Sequence, residues 1–154
     1  MAAEKCDAAV VRLGAPALAV LAADTVVSLG SEILGKPADE NEARAMLQRL
    51  AGRRHEVLTA YRIRLGEHMV ERVVATFVTF RSLDAKEIAA YVASGEWRGK
   101  AGGYAIQGIA GCFATELRGS FSNVVGLPLA EVLADLRAIE ALPSYPTPAF
   151  GVSS

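Results

Sequence analysis

Residues 55–80 read as one long hairpin, and this feature limits the folds open to the chain more than any other. From Met69 to Phe80 the pattern alternates: Val74, Thr76, Val78 and Phe80 share one face, while Val73, Ala75, Phe77 and Thr79 share the other. Side chains on a strand point to opposite faces in turn, so this run predicts a strand. His55 to Leu65 predicts its partner, and Gly66-Glu67 between them suits a two-residue turn. The remaining segments must build a sheet around this pair.

They alternate between helical and extended patterns. Residues 2–13 predict a helix, with Gly14 placed as its cap and Pro16 blocking its continuation. Leu18 to Leu29 is rich in Val, Leu and Ala with the single Asp24, which predicts a strand buried on both faces. Gly30 supplies a turn. Asp39 fits the N-cap of a helix through Leu50, in which Ala43, Met46, Leu47 and Leu50 recur on one face. Ser82 or Asp84 caps another helix, with Ile88, Tyr91 and Val92 inward and Ser94-Gly95 at its end. A strand over 111–118 and a helix from Pro128 to about Ile139 complete the domain. The order predicts a single α/β domain over 1–142, a twisted mixed sheet flanked by helices. Residues 143–154 hold three of the six prolines and no charge, and are expected to form a loose tail.

The 154 residues carry 16 basic and 17 acidic side chains, a formal charge of -1, and so lack the basic footprint of a nucleic-acid binder. Any anion must be held by local groups. Cys6 and Cys112 have no CxxC spacing, which argues against a zinc site or a disulfide framework and fits a reducing cytoplasm. The apolar run from Ala15 to Ala23 is too short to span a bilayer, so neither membrane segment nor export signal is expected.

Against this background a few polar residues stand out. LAADTVV sets Asp24 in an apolar segment, where surroundings can tune a carboxylate. GKP restricts the backbone at Lys36, because proline biases the preceding residue toward an extended conformation. KAGGYAIQG brings Lys100, paired glycines and Gln107 together: a charge for phosphate, bare backbone for close approach, and an amide that can match the acceptor and donor of a uracil or thymine edge. Each has an ordinary alternative: a turn cap at Asp24, a solvated loop lysine at Lys36, a glycine turn with Gln107 paired to backbone. His55 and Glu56 in HEVLT do not make the HExxH zinc motif, since Thr59 stands where the second histidine is required. His55 is read as structural and His68 as exposed.

LAADTVV, EILGKP, EARAMLQRLAGRRHEVLT, SGEWRGKAGGYAIQG and GSFSNVVGLPL, in this order, resemble the Maf family of nucleoside triphosphate pyrophosphatases over most of residues 2–138. The resemblance implies an elongated mixed sheet with a central cleft, like that of inosine triphosphate pyrophosphatases. It also implies hydrolysis of a nucleoside triphosphate between the α and β phosphates, a divalent cation (Mg or Mn), a cytoplasmic setting and a homodimer. The YAIQG form resembles the branch acting on dTTP and UTP. Position by position, the resemblance makes Asp24 the proton acceptor for the attacking water and a metal ligand, Thr25 and Gln107 readers of the base, and Lys36 and Lys5 phosphate contacts. Lys100 either touches substrate or supports its loop. Glu32 is a further candidate metal ligand, against a solvated turn glutamate.

The family's opening strand and its Ser-Pro-Arg-Arg turn, which grips phosphates, find no match here; the sequence starts inside what resembles the family's first long helix. The expectation is therefore an N-terminally truncated Maf-like domain, with a lost strand and an uncovered apolar sheet face. Two readings follow: a pyrophosphatase whose full product is longer, or a remnant that binds nucleotide or a partner without catalysis. A related enzyme acting on modified nucleotides is a third.

Overall fold

A computed structural model describes residues 1–13 and 18–142. Gly14, Pro16 and the expected loose tail of 143–154 lie outside the described residues. The chain order is α1 (Ala2–Leu13), β1 (Val20–Leu29), β2 (Glu32–Leu34), α2 (Glu40–Leu50), β3 (Arg54–Leu65), β4 (His68–Phe80), α3 (Ala85–Ser94), β5 (Ala114–Arg118), α4 (Phe121–Val125) and α5 (Leu129–Ala138). The strands form a five-stranded sheet in the order β2-β1-β3-β4-β5, with helices packed against it.

The hairpin forms as expected. Leu65 pairs with His68 across Gly66-Glu67, and the register continues to Arg54 opposite Thr79. Gly66 has φ +57, a backbone state that a tight hairpin turn demands and glycine adopts without penalty. Asp39 caps α2 by accepting from the Glu42 N–H, and Asp84 with Glu87 makes a reciprocal capping box on α3. The inward residues of α2 and α3 meet Val27, Val57, Val78 and Phe80 of the sheet in the main core. A smaller cluster packs Val132 of α5 on Tyr61 and Ile63. There Asp135 accepts from the Tyr61 hydroxyl at 2.5 Å and from Arg72 at 2.6 Å, fixing α5 to both hairpin strands.

The α/β class with flanking helices stands, and the strand directions differ from the mixed sheet expected. Every pairing among the described residues is antiparallel. The reason is β2, absent from the sequence reading: it reverses the chain after Gly30, so the α2 crossover delivers β3 running with β2 and against the intervening β1. β5 begins at Ala114, not at 111, because Ile109–Cys112 winds into a 3₁₀ turn. The short α4 was also not anticipated; Ser120 caps it by accepting from the Asn123 N–H.

β1 is not buried on both faces. Only Val20 and Val27 are buried on it; α2 and α3 cover one face near Val27, and α1 packs on β1 elsewhere. β2 pairs with β1 over Val27–Leu29 alone, so among the described residues the outer edge from Val20 to Val26 has no strand beside it. On the less covered face β4 leaves Met69, Val73 and Phe77 exposed. No helix among the described residues is long and apolar enough to cross a membrane.

Candidate active site

The edge of β1 opens into a cavity of about 270 Å³, whose wall includes Lys5, Asp24, Thr25, Lys36, Lys100 and Gln107. Residues that the sequence scatters over a hundred positions thus meet in one place. Lys5 projects from α1 and donates to Asp24 Oδ1 at 2.9 Å. Asp24 is 22 % exposed, and its Oδ2 makes no described hydrogen bond, so that oxygen is available to water or ligand. Three lysines against one aspartate give the wall an excess of two positive charges, on a chain whose total is -1. A partly enclosed cluster of one sign focuses potential and draws anions.

Lys36 and Lys100 come from two loops that are tied together. The Gly102 N–H donates to Gly35 O at 2.9 Å, joining the GKP and GGY turns. Gly102 has φ +68, and a Cβ there would lie 3.0 Å from Val27 Cγ2, so the loop presses on β1 in a way only glycine permits. Tyr104 of the same loop reaches inward, its hydroxyl 2.7 Å from His55 Nε2, and its ring meets Phe80 edge-on at 4.8 Å. Burial holds the His55 imidazole down at about 4 and pushes the Tyr104 phenol well above its ordinary value. His55 is therefore neutral at pH 7, a buried anchor for the loop, in keeping with its structural reading.

Thr25 sits opposite Thr59 in the β1–β3 register, and their hydroxyl oxygens are 2.9 Å apart. Thr59 also donates toward Asn123 O at 3.2 Å, and Thr25 lies 3.4 Å from Gly126 O. Asn123, itself on α4, is fully buried, its Nδ2 within 3.0–3.1 Å of Thr76 Oγ1 and the carbonyls of Val57 and Val74. This polar core holds the Val124–Gly126 wall of the cavity against the sheet.

Glu32 is not brought into the cavity. It stands 58 % exposed on β2, paired with Arg49 of α2, and is not among the cavity-lining residues. Among the described residues no group of three or more His, Cys, Asp or Glu is placed to hold a metal ion. Thr59, Asn123 and Gly126 were missed as supports of the site. The signal was present: Thr59 and Thr76 fall on the apolar face of the hairpin, and a buried hydroxyl calls for a partner elsewhere in the chain.

A family model described as Maf-like protein matches residues 1–139, and the chain belongs to that family. It is 53% identical over 145 residues to the dTTP/UTP pyrophosphatase of Cereibacter sphaeroides, an alignment covering 94% of this chain and 73% of that protein. It is 47% identical over 142 residues to the dTTP/UTP pyrophosphatase of an Escherichia coli strain, covering 92% of this chain and 72% of the other. With the dTTP/UTP pyrophosphatase of Anaeromyxobacter dehalogenans the identity is 58% over 123 residues, 77% of this chain and 63% of that protein.

Proposed function

We propose that the chain hydrolyses dTTP and UTP to the nucleoside monophosphate and pyrophosphate, with the cavity beside β1 as its active site. The observation that carries this is the convergence of Lys5, Asp24, Thr25, Lys36, Lys100 and Gln107 on one wall. The names of the similar proteins supply the substrate class.

In this reading the lysines bind the triphosphate. Ammonium groups neutralise its charge and stabilise the charge that grows on the phosphate oxygens as the α–β anhydride breaks. Asp24 serves as general base: its free Oδ2 takes a proton from the water that adds across the anhydride, while Lys5 holds Oδ1 and fixes the carboxylate's orientation. A lone carboxylate fits a magnesium or manganese ion that arrives on the triphosphate, since such ions keep several waters and take only one or two protein carboxylates. That ion would supply further charge neutralisation. In this reading Asp24 would meet the ion through one of its bound waters, and Glu32 is held elsewhere by Arg49. The two free cysteines, one buried and one exposed, favour a reducing cytoplasm as the setting.

The test is pyrophosphate release from UTP and dTTP by the purified chain with magnesium, beside Asp24→Asn. The expected result is release that falls by about a hundredfold to ten-thousandfold in kcat in the variant. Release that survives Asp24→Asn unchanged removes the proposed base. A folded wild-type chain that releases nothing favours the remnant reading, in which the cavity binds nucleotide without turning it over.

A further inference from the structure

Resting on that reading, we infer that Thr59, buried behind the cavity, is a positioning residue that fixes Thr25 as a hydrogen-bond acceptor and so selects uracil and thymine over cytosine. Of the polar side chains on the wall, the lysines and Asp24 are charged, and the Tyr104 hydroxyl is held by His55. Thr25 and Gln107 remain as the neutral groups able to read a base edge.

Gln107 alone does not distinguish the pyrimidines. Uracil and thymine present an acceptor at C4 and an N–H donor at N3; cytosine presents an amine donor at C4 and a bare acceptor at N3. A side-chain amide carries donor and acceptor side by side, and turning it over exchanges them. Gln107 is exposed, and no hydrogen bond to a described residue fixes which way its amide faces. It can pair with either base.

Thr25 differs because its single proton is already committed. A hydroxyl has one donor and two lone pairs. If the 2.9 Å contact with Thr59 uses the Thr25 proton, Thr59 sends its own to Asn123 O at 3.2 Å. If the contact uses the Thr59 proton, Thr25 sends its own to Gly126 O at 3.4 Å. In both arrangements Thr25 offers the cavity only a lone pair. Facing N3 of the base, that lone pair accepts from the N–H of uracil or thymine and opposes the lone pair of cytosine. Thr59 is 0% exposed and touches no ligand itself, so it acts through Thr25.

The experiment measures kcat/KM for UTP and CTP in wild type, Thr59→Val and Thr59→Ser, with thermal unfolding to confirm that each variant is folded. Valine removes the hydroxyl at nearly constant volume and leaves the Thr25 proton only the long 3.4 Å contact with Gly126 O, from which it can turn toward cytosine N3. The expected result is a UTP-over-CTP ratio that falls by about tenfold in Thr59→Val and is restored in Thr59→Ser. Should Thr59→Val fail to fold, Thr59→Ala carries the test, since it removes the same hydroxyl and leaves Thr25 on the wall, and it is expected to lower the ratio alike. A ratio that stays at the wild-type value in the folded valine variant overturns the inference while leaving the pyrophosphatase reading intact. No pyrophosphate from any pyrimidine triphosphate with the wild-type chain removes the reading and the inference together.

Discussion

His55 begins the inward-facing series of β3, 2% exposed, with its imidazole held at about 4 against an ordinary value of 6.5. Desolvation is the main cause: a charged ring would lose its water and gain no carboxylate in return. Between those two values the unfolded chain binds a proton that the folded chain refuses. The stabilisation from neutral His55 is therefore complete above pH 6.5 and is lost as pH falls toward 4. The loss amounts to about 3 kcal/mol. Comparing wild type with His55→Gln by urea unfolding from pH 7 to pH 4, the stability advantage of wild type is expected to shrink by that amount. Parallel pH profiles would contradict it. The structural role of His55 was legible in the sequence because its neighbours lack the zinc spacing. The buried hydroxyl of Thr59 was legible in the alternation of the hairpin; its partner Asn123 was not, because it lies more than sixty residues further along the chain.

At the scale of elements, the hairpin and the capped helices were legible because their signals are local: alternation, Gly66 at the turn, Asp39 and Asp84 at helix starts. β2 and α4 were not, being a three-residue strand and a five-residue helix, too short to show a period. The burial of β1 was over-read because composition reports that a strand is apolar but not what covers it. The glycine loop was legible as a motif, and the structure adds its mechanical footing. It rests on Val27, hangs from Gly35 O and is pinned below by Tyr104 on His55. Gly102→Ala would force a strained φ and crowd Val27, at a cost of about 1–3 kcal/mol. The midpoint of thermal unfolding is expected to fall by roughly 2–12 °C. KM for UTP should rise more than kcat falls, because Lys36 and Lys100 are displaced together. A KM at the wild-type value would show that the loop does not set nucleotide affinity.

In the proposed reading, the chemistry lies at the margin of the sheet that the described residues form, instead of in their core. α2 and α3 bury one end of the sheet and α5 the other, while the edge of β1 between them is left to the cavity. Four separated segments meet there: α1 with Lys5, β1 with Asp24 and Thr25, and the two glycine-bearing loops with Lys36, Lys100 and Gln107. Their identities were readable one by one; their convergence is a property of the folded chain. The measurement that tests this convergence most directly is a crystal structure of the chain with magnesium and α,β-methylene-UTP, whose anhydride bond cannot be hydrolysed. The expected result is the triphosphate among Lys5, Lys36 and Lys100, its α phosphorus beside Asp24, and the uracil N3 at Thr25. An analogue bound elsewhere on the chain, or reversed so that its base lies among the lysines, would contradict the assignment of the active site.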